Sequence, residues 1–346
     1  MDLAEFDYAL PEELIAQTPL ADRAASRMLV VDRARETWED RQFRDLPSYL
    51  RPGDCLVLND SRVFPARLFG HRLKNPERRE YHTGEVEVLL LRPLDASARD
   101  WEALVHPGKK MRVGERVRFS DNLEAEVIAR RDFGQRTLRF ATDCDVYEEF
   151  EKIGHVPLPP YIKRQDEAAD RERYQTVFAR ERGSAAAPTA GLHFMPEVLD
   201  ACRAAGADTA FVTLHVGLGT FQPIHDDRIE GHRLHSEHYQ ITAENAARMA
   251  AARRLVAVGT TSVRTLESAV LAGGLCESTG ETDLFIYPGF HFQAAGAMLT
   301  NFHLPRTSLL LMVCALAGKD LALAAYRHAV ESRYRFYSYG DCMLIV

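Results

Sequence analysis

The hydrophobic pattern of this chain changes character twice along its length. Between residues 85 and 140, apolar and polar side chains alternate in short segments separated by Gly, Pro and Asp. Such alternation predicts antiparallel strands and, when repeated in this way, a small β-barrel. On the N-terminal side of it, the runs 28–31 and 55–58 are short and apolar, as is typical of strands buried on both faces.

From residue 196 onward, apolar runs alternate with helical segments, which predicts a mainly parallel sheet with flanking helices. We therefore expect an α/β domain formed by residues 1–69 and 152–346, interrupted by an inserted small β-barrel domain at residues 70–151. The length of 346 residues suits two domains of ordinary size. Further expected elements are helices at 196–205, 243–253 and 262–272 and strands at 210–214, 255–258 and 284–287.

The composition narrows the class of protein. With 46% hydrophobic and 27% charged residues, the chain is typical of folded proteins. A net charge of −7 argues against a protein held on nucleic acid or anionic lipid by its overall charge, but it leaves room for a local basic patch. We see no secretory signal at the N-terminus, and the longest apolar run, 309–317, is too short to span a bilayer. A cytoplasmic protein is expected, with its six cysteines as free buried thiols.

Small, polar and imidazole side chains are concentrated where predicted strands end, which is where open α/β sheets bind ligands. Arg62, beside an Asn-Asp-Ser turn, could clamp a carboxylate or a phosphate. Three hydroxyls at 260–262 open a predicted helix, whose free amides favour an anion. Ordinary capping and packing would explain the same residues, so both interpretations stay open. The segments concerned are 58–67, 186–194, 213–221, 258–264 and 301–306.

Two other site types are disfavoured. His232, His235 and His238 are spaced so that no three imidazoles share one face of a helix or strand, and no cysteine joins them, so we expect no metal. The glycines at 217 and 219 are not followed by a third glycine at the spacing of a dinucleotide-binding loop. Basic groups at 109–112 and 171–182, the second with interleaved aromatic residues, could contact phosphates and bases, although a solvated charged face would look the same.

Read together, segments along nearly the whole chain resemble the S-adenosylmethionine:tRNA ribosyltransferase-isomerase family of queuosine biosynthesis. One of them is Asn59-Asp60-Ser61-Arg62-Val63. The resemblance implies an α/β domain interrupted by a β-barrel, in agreement with the hydrophobic pattern. The matching segments are 6–11, 58–63, 154–162, 173–178, 187–194, 214–221, 259–265, 300–305 and 334–341.

The reaction implied by the resemblance moves the ribosyl part of S-adenosylmethionine onto 7-aminomethyl-7-deazaguanine at the wobble position of tRNA. Epoxyqueuosine remains in the tRNA, and adenine and methionine leave. The sulfonium acidifies the ribose C5′ hydrogens, so that a base can generate an ylide and expel adenine. S-adenosylmethionine is then a consumed substrate and no cofactor is expected. The expected partners are S-adenosylmethionine and the tRNA, with no membrane and a monomeric enzyme.

Within this reaction, His193 or His215 is the expected general base, because a neutral imidazole accepts a proton near pH 7. We expect Thr260, Thr261, Ser262 and Arg264 to hold the methionine carboxylate. The residues that we expect to orient the ribose or the adenine are Asn59, Arg62, Asn301 and His303. The remaining expected substrate-binding residues are Thr189, Gly217, Gly219 and Thr220. The expected tRNA-binding residues are Arg173, Tyr174, Lys109 and Lys110.

Two other function classes stay open at this point. A non-catalytic tRNA-binding or chaperone-like protein would bind tRNA without releasing adenine or methionine. A metal-dependent hydrolase using the histidines of 232–238 would contain stoichiometric metal. The net charge of −7 further predicts weak nonspecific binding to RNA and a modest dependence of binding on salt.

Overall fold

The computed structural model describes residues 1–75, 80–95, 97–131, 134–217, 224 and 228–346. The strands are β1 Arg27–Asp32, β2 Thr37–Gln42, β3 Asp54–Asn59, β4 Ser61–Val63, β5 Arg67–Asn75, β6 Glu80–Pro93, β7 Asp100–His106, β8 Arg116–Arg118, β9 Glu124–Arg130, β10 Gln135–Ala141, β11 Glu181–Ser184, β12 Asp208–Leu214, β13 Glu237–Ile241, β14 Arg254–Val258, β15 Ser278–Thr282, β16 Ala295–Asn301 and β17 Cys342–Ile345. The α-helices are α1 Val146–Ile153, α2 Asp170–Arg173, α3 Pro196–Ala204, α4 Ala243–Ala251, α5 Thr260–Leu271, α6 Ser308–Ala317 and α7 Lys319–Glu331.

Nine strands form one large sheet in the order β15-β13-β12-β3-β14-β16-β17-β1-β2. The four strands β12, β3, β14 and β16 run parallel to one another. Antiparallel pairing surrounds them, because β13 and β15 fold back at one edge and β17 returns beside β16. The sheet is therefore mixed rather than mainly parallel as expected. Helices α6 and α7 together lead from β16 to β17, which runs in the opposite direction beside it.

Strand β3 shows why this sheet is covered on both faces. All six of its residues are buried. Cys55 and Val57 point into a core shared with α5, α6 and α7. Leu56 and Leu58 point to the opposite side, into a core that includes residues of α3. Because successive strand side chains alternate between faces, a continuous apolar run needs a layer on each side of the sheet.

The alternating middle of the chain forms a closed barrel of six antiparallel strands in the order β10-β7-β6-β5-β8-β9. Along β7, Trp101, Ala103 and Val105 are buried and alternate with more accessible residues. Helix α1 closes the barrel by placing Phe150 against the rings of Trp101 (5.5 Å between centroids) and Phe140 (5.1 Å). The predicted barrel is confirmed, whereas the division of the chain into domains at residues 70 and 151 stays a prediction.

Two other expectations are corrected by the structure. The segment 284–287 forms no strand. Its apolar side chains pack against the core, and the carbonyl oxygen of Leu284 accepts a hydrogen bond from the Arg264 guanidinium (3.2 Å) instead of from a neighbouring strand. All six cysteines are free, but Cys144 and Cys276 are exposed rather than buried. Among the described residues no single helix is long and apolar enough to cross a membrane; α6 and α7 meet that test only together, across a bend of 116°.

Candidate active site

The carboxyl ends of β3, β12 and β14 are tied together by the side chain of Asn59. Its Nδ2 donates to the carbonyl oxygen of Leu214 (3.0 Å) and to Oγ1 of Thr261 (3.3 Å). Its Oδ1 accepts from the backbone N–H groups of Ser61 and Leu214, both at 3.1 Å. Since both polar atoms of this buried amide have protein partners, Asn59 holds the strand ends in place rather than presenting itself to a ligand.

A small cavity of about 40 Å³ lies at these strand ends. Gly259, with φ of +89°, turns the chain from β14 into the first turn of α5 beside this cavity. The free amides of that turn favour an anion. Because ligand pockets usually measure ~300–1,000 Å³, the cavity has room for only a small polar group. Five of the expected substrate-binding residues line it: Thr189, Thr260, Thr261, Asn301 and His303.

A larger cavity of about 480 Å³ lies between the barrel and the edge of the sheet, and its size is that of an ordinary ligand pocket. His215 and Gly217 line it, whereas Val216 between them lines the small cavity. Residues 215–217 are therefore a wall that the two cavities share. The barrel contributes Leu91, Arg92, Pro93, Glu102, Leu104 and Gln135 to the larger cavity.

His193 lies outside both cavities and is buried. Burial, assisted by Arg23 and Arg335, lowers the pKa of His193 to about 3, so the imidazole is neutral at pH 7. Its Nε2 accepts a hydrogen bond from Nδ2 of Asn301 (3.1 Å), which leaves Nδ1 as the donor to Oγ of Ser26 (2.9 Å). Both ring nitrogens are thus engaged within the protein.

His215 is in the opposite situation. It is half-buried in the wall of the larger cavity, and its Nδ1 has no hydrogen-bond partner among the described residues. Burial and the neighbouring His238, whose ring lies parallel at 6.4 Å between centroids, lower the pKa of His215, while Asp60 opposes the shift. His303, by contrast, is bonded through Nε2 to Oγ1 of Thr300 (2.8 Å). Of these three imidazoles, only that of His215 combines an unpartnered nitrogen with a ligand-sized cavity.

Arg264 and Ser262 do not face either cavity. Arg264 is buried in an ion pair with Glu237, and its Nη2 donates to the carbonyl oxygen of Thr282 (3.1 Å). Oγ of Ser262 donates to the carbonyl oxygen of Val258 (2.8 Å). The expected contact of these two residues with a carboxylate is therefore not supported, because their polar atoms are already used to pack α5 against its neighbours.

Comparison with known proteins decides the family. A family model described as "Queuosine biosynthesis protein" matches residues 3–345. The S-adenosylmethionine:tRNA ribosyltransferase-isomerases of Solibacter usitatus and Symbiobacterium thermophilum are 68% and 53% identical to this chain, and each alignment covers 100% of both proteins. The chain belongs to this family. It is an enzyme of queuosine biosynthesis.

A crystal structure titled S-adenosylmethionine tRNA ribosyltransferase, from Thermotoga maritima, is also similar to this ribosyltransferase-isomerase chain. The two share 39% sequence identity with a TM-score of 0.55, over 99% of this chain and 100% of the other.

The residues expected to contact tRNA are scattered over this ribosyltransferase-isomerase. The ring of Tyr174 is fully buried against Tyr339 (5.9 Å between centroids), so it offers no surface on which a base could stack. Lys109 and Lys110 are exposed on the barrel, away from both cavities. Arg173 and Arg62 line a third cavity, a groove of about 610 Å³. Gly219 and Thr220 lie outside the described residues.

Sequence reasoning missed Glu237 as part of the site. One of its carboxylate oxygens pairs with Arg264, and the other accepts a hydrogen bond from the backbone N–H of Gly217 in the shared wall (2.8 Å). It belongs to the histidine-rich segment, where the sequence led us to expect no metal, and no group of three or more potential ligands is found in the described ranges.

Proposed function

We propose that this enzyme transfers and isomerises the ribosyl moiety of S-adenosylmethionine onto 7-aminomethyl-7-deazaguanine at the wobble position of tRNA. Epoxyqueuosine-tRNA, adenine and methionine are the products. The observation that carries the proposal is the pair of adjoining cavities, one of nucleoside size and one of the size of a small polar group, with His215 in their shared wall. S-adenosylmethionine is consumed, and the reaction needs no cofactor.

The small cavity suits the amino-acid end of S-adenosylmethionine. The first turn of α5, with the hydroxyls of Thr260 and Thr261, receives the carboxylate. Asn301 suits the ammonium group, because its Oδ1 is a buried acceptor without a partner among the described residues. The orientation of the amide is set by its surroundings, since Nδ2, with two hydrogens to share, faces three acceptors: Nε2 of His193 and the carbonyl oxygens of Tyr337 (3.2 Å) and Asp341 (3.4 Å). Asn301 therefore serves the methionine end rather than the ribose or adenine.

The larger cavity then holds the adenosyl part, and C5′ lies at the shared wall. Because its pKa is lowered, His215 is neutral at pH 7 and can accept the C5′ proton. The electron pair left on C5′ is stabilised by the adjacent sulfonium. Adenine then leaves with the electron pair of its glycosidic bond, and methionine leaves with the C5′–S pair as the amine of the deazaguanine bonds to the ribosyl carbon skeleton. His193 serves as a positioning residue, since it accepts the hydrogen bond from Asn301.

The test is to incubate the enzyme with S-adenosylmethionine and tRNA carrying the deazaguanine precursor, and to measure adenine and modified nucleoside. Loss of a general base is expected to slow adenine release by ~10²–10⁴-fold in the His215→Ala variant. The matched variant His193→Gln retains a base at position 215 and is expected to remain far more active. Full activity of His215→Ala would remove His215 from the mechanism, and tRNA binding without any adenine release by the wild type would contradict the proposed function itself.

We further propose that the enzyme works in the cytoplasm, where its tRNA substrate is found, and that it works as a monomer. Light scattering of the enzyme with and without tRNA tests the oligomeric state.

A further inference from the structure

Two arginines lie side by side on the short parallel ribbon formed by β4 and β11. Arg62 and Arg182 occupy directly paired positions in this ribbon, and both are exposed. Side chains at paired positions point to the same face, from backbones about 4.8 Å apart. Like charges placed in this way destabilise the pairing. Among the described residues neither arginine forms an ion pair that would offset the repulsion.

We call the pair Arg62 and Arg182 the arginine ribbon. This pair lies between two cavities. Arg62 lines the 610 Å³ groove together with Arg23, Arg171 and Arg173. Arg182 lines the 480 Å³ cavity that contains His215. The opposite face of the ribbon is buried at Ser61 and Ser184, so the exposed face is held in a fixed orientation. A row of guanidinium groups thus leads from the groove to the wall of the candidate active site.

The lining of the groove has an excess of positive over negative side chains. Its lining includes four arginines and one glutamate, Glu172. Arg23 donates to the carbonyl oxygens of Gln175 (2.8 Å) and Leu192 (3.1 Å).

The other two guanidinium groups of the groove are held in the same way. Arg173 donates to the carbonyl oxygen of Ala21 (3.0 Å), and Arg171 to that of Gly154 (2.8 Å). Arg171 also lies 3.9 Å from the carboxylate of Glu151, at the outer limit of an ion pair. Carbonyl groups fix a guanidinium without neutralising its charge, so the groove is preorganised for an anion.

We propose that the arginine ribbon and the groove bind the sugar-phosphate backbone of tRNA and bring its anticodon loop to the entrance of the 480 Å³ cavity. This inference rests on the proposed function, since it assumes that the wobble base of the tRNA reacts with the ribosyl group held in that cavity. Guanidinium groups bind phosphate in a bidentate manner, and charges spread along a row match successive phosphates of one strand better than a single small anion. The acidic remainder of the surface, with a net charge of −7 overall, keeps binding elsewhere weak.

The test is the affinity for precursor tRNA at several salt concentrations, measured by fluorescence anisotropy for wild type, Arg62→Gln, Arg182→Gln and the double variant. Each single variant is expected to bind about 5–10-fold more weakly and to lower the salt slope by ~0.7–1. The double variant is expected to lower the slope by about twice that amount. Arg62→Lys keeps the charge but not the bidentate geometry, so it is expected to keep the slope and lose part of the affinity. The matched control is Arg35→Gln, whose side chain is 81% exposed on the turn between β1 and β2.

The proposal would be overturned if Arg62→Gln and Arg182→Gln bound tRNA with the affinity and salt slope of the wild type. It would also be overturned if Arg35→Gln lost as much affinity as these two variants. A loss confined to Lys109→Gln and Lys110→Gln would also overturn it, in favour of the barrel surface. These readouts do not require turnover. If the wild type released no adenine, the proposed function would fail, while the binding data would still decide where the tRNA backbone lies.

Discussion

Arg264 and Glu237 form an ion pair that is almost closed to solvent, with side chains 2% and 4% exposed. The pair joins α5, whose first turn borders the small cavity, to β13. Through the N–H of Gly217, which donates to Glu237, it also reaches the wall shared with the larger cavity. A buried ion pair therefore fixes the relative position of the two cavities.

Removing one member of this pair is expected to be costly. Arg264→Met leaves the carboxylate of Glu237 buried without its partner, so we expect the free energy of unfolding to fall by about 3–5 kcal/mol. Urea denaturation measures this change. Arg203→Met is the matched control, because Arg203 pairs with Asp200 at the surface, and it is expected to change stability by less than about 1 kcal/mol. Equal losses in the two variants would show that burial of the pair is not what matters.

The pH dependence of adenine release is expected to follow His215. A base must be unprotonated to act, and the pKa of His215 is lowered from its ordinary value of 6.5. The value of kcat/KM should thus be constant around pH 7 and fall only as the pH drops below 6.5. His238→Gln removes a neighbour that lowers this pKa, so the acidic limb should move to higher pH. A limb that stays in place in His238→Gln would contradict the assignment of His215.

Burial of neutral His193 is expected to make the fold sensitive to acid. Its folded-state pKa of about 3 lies below the ordinary value of 6.5, so the unfolded chain takes up the proton first as the pH falls. Stability should be fully present above pH 6.5 and decline toward pH 3, by up to about 1.4 kcal/mol per pH unit for this group. Urea denaturation of His193→Gln between pH 7 and 4 should give a shallower decline. A decline equal to that of the wild type would show that His193 does not couple folding to protonation.

Gly183 is expected to be required for the position of His215. A Cβ added there would lie 3.1 Å from Cε1 of His215, and φ of +134° is unfavourable for other residues. Gly274→Ala provides a matched control, because φ is +126° but nothing lies within 4 Å of the added Cβ. Both variants should lose ~1–3 kcal/mol of stability through backbone strain. Only Gly183→Ala should slow adenine release, and equal activities would argue against crowding of His215.

The barrel and the end-of-strand site could be predicted because both depend on local patterns. Alternation every second residue marked the barrel, and the rule that ligands bind at the carboxyl ends of parallel strands brought Thr189, Thr260 and Asn301 together. The direction of β17 could not be predicted, because its neighbour β1 lies near the other end of the chain and its neighbour β16 is separated from it by two helices, α6 and α7.

The sequence patterns also could not predict which way individual side chains point. Arg264 and Tyr174 are of types that often contact ligands, but their burial depends on partners such as Glu237 and Tyr339, which are remote in sequence. Choosing between His193 and His215 likewise required the hydrogen bond from Asn301, which is 108 residues away from His193.

The position of β17 between β16 and β1 has a consequence for synthesis of the protein. The barrel strands are consecutive in the chain, so the barrel can close soon after β10 is made. The β1–β2 hairpin must instead wait for β17, roughly 300 residues later, which takes on the order of 15–60 s at cellular rates of translation. Throughout that interval the apolar residues 28–31 of β1 have β2 on one side but lack β17 on the other. The nascent hairpin therefore presents an unpaired strand edge and apolar side chains to the surroundings until synthesis of the chain is nearly complete.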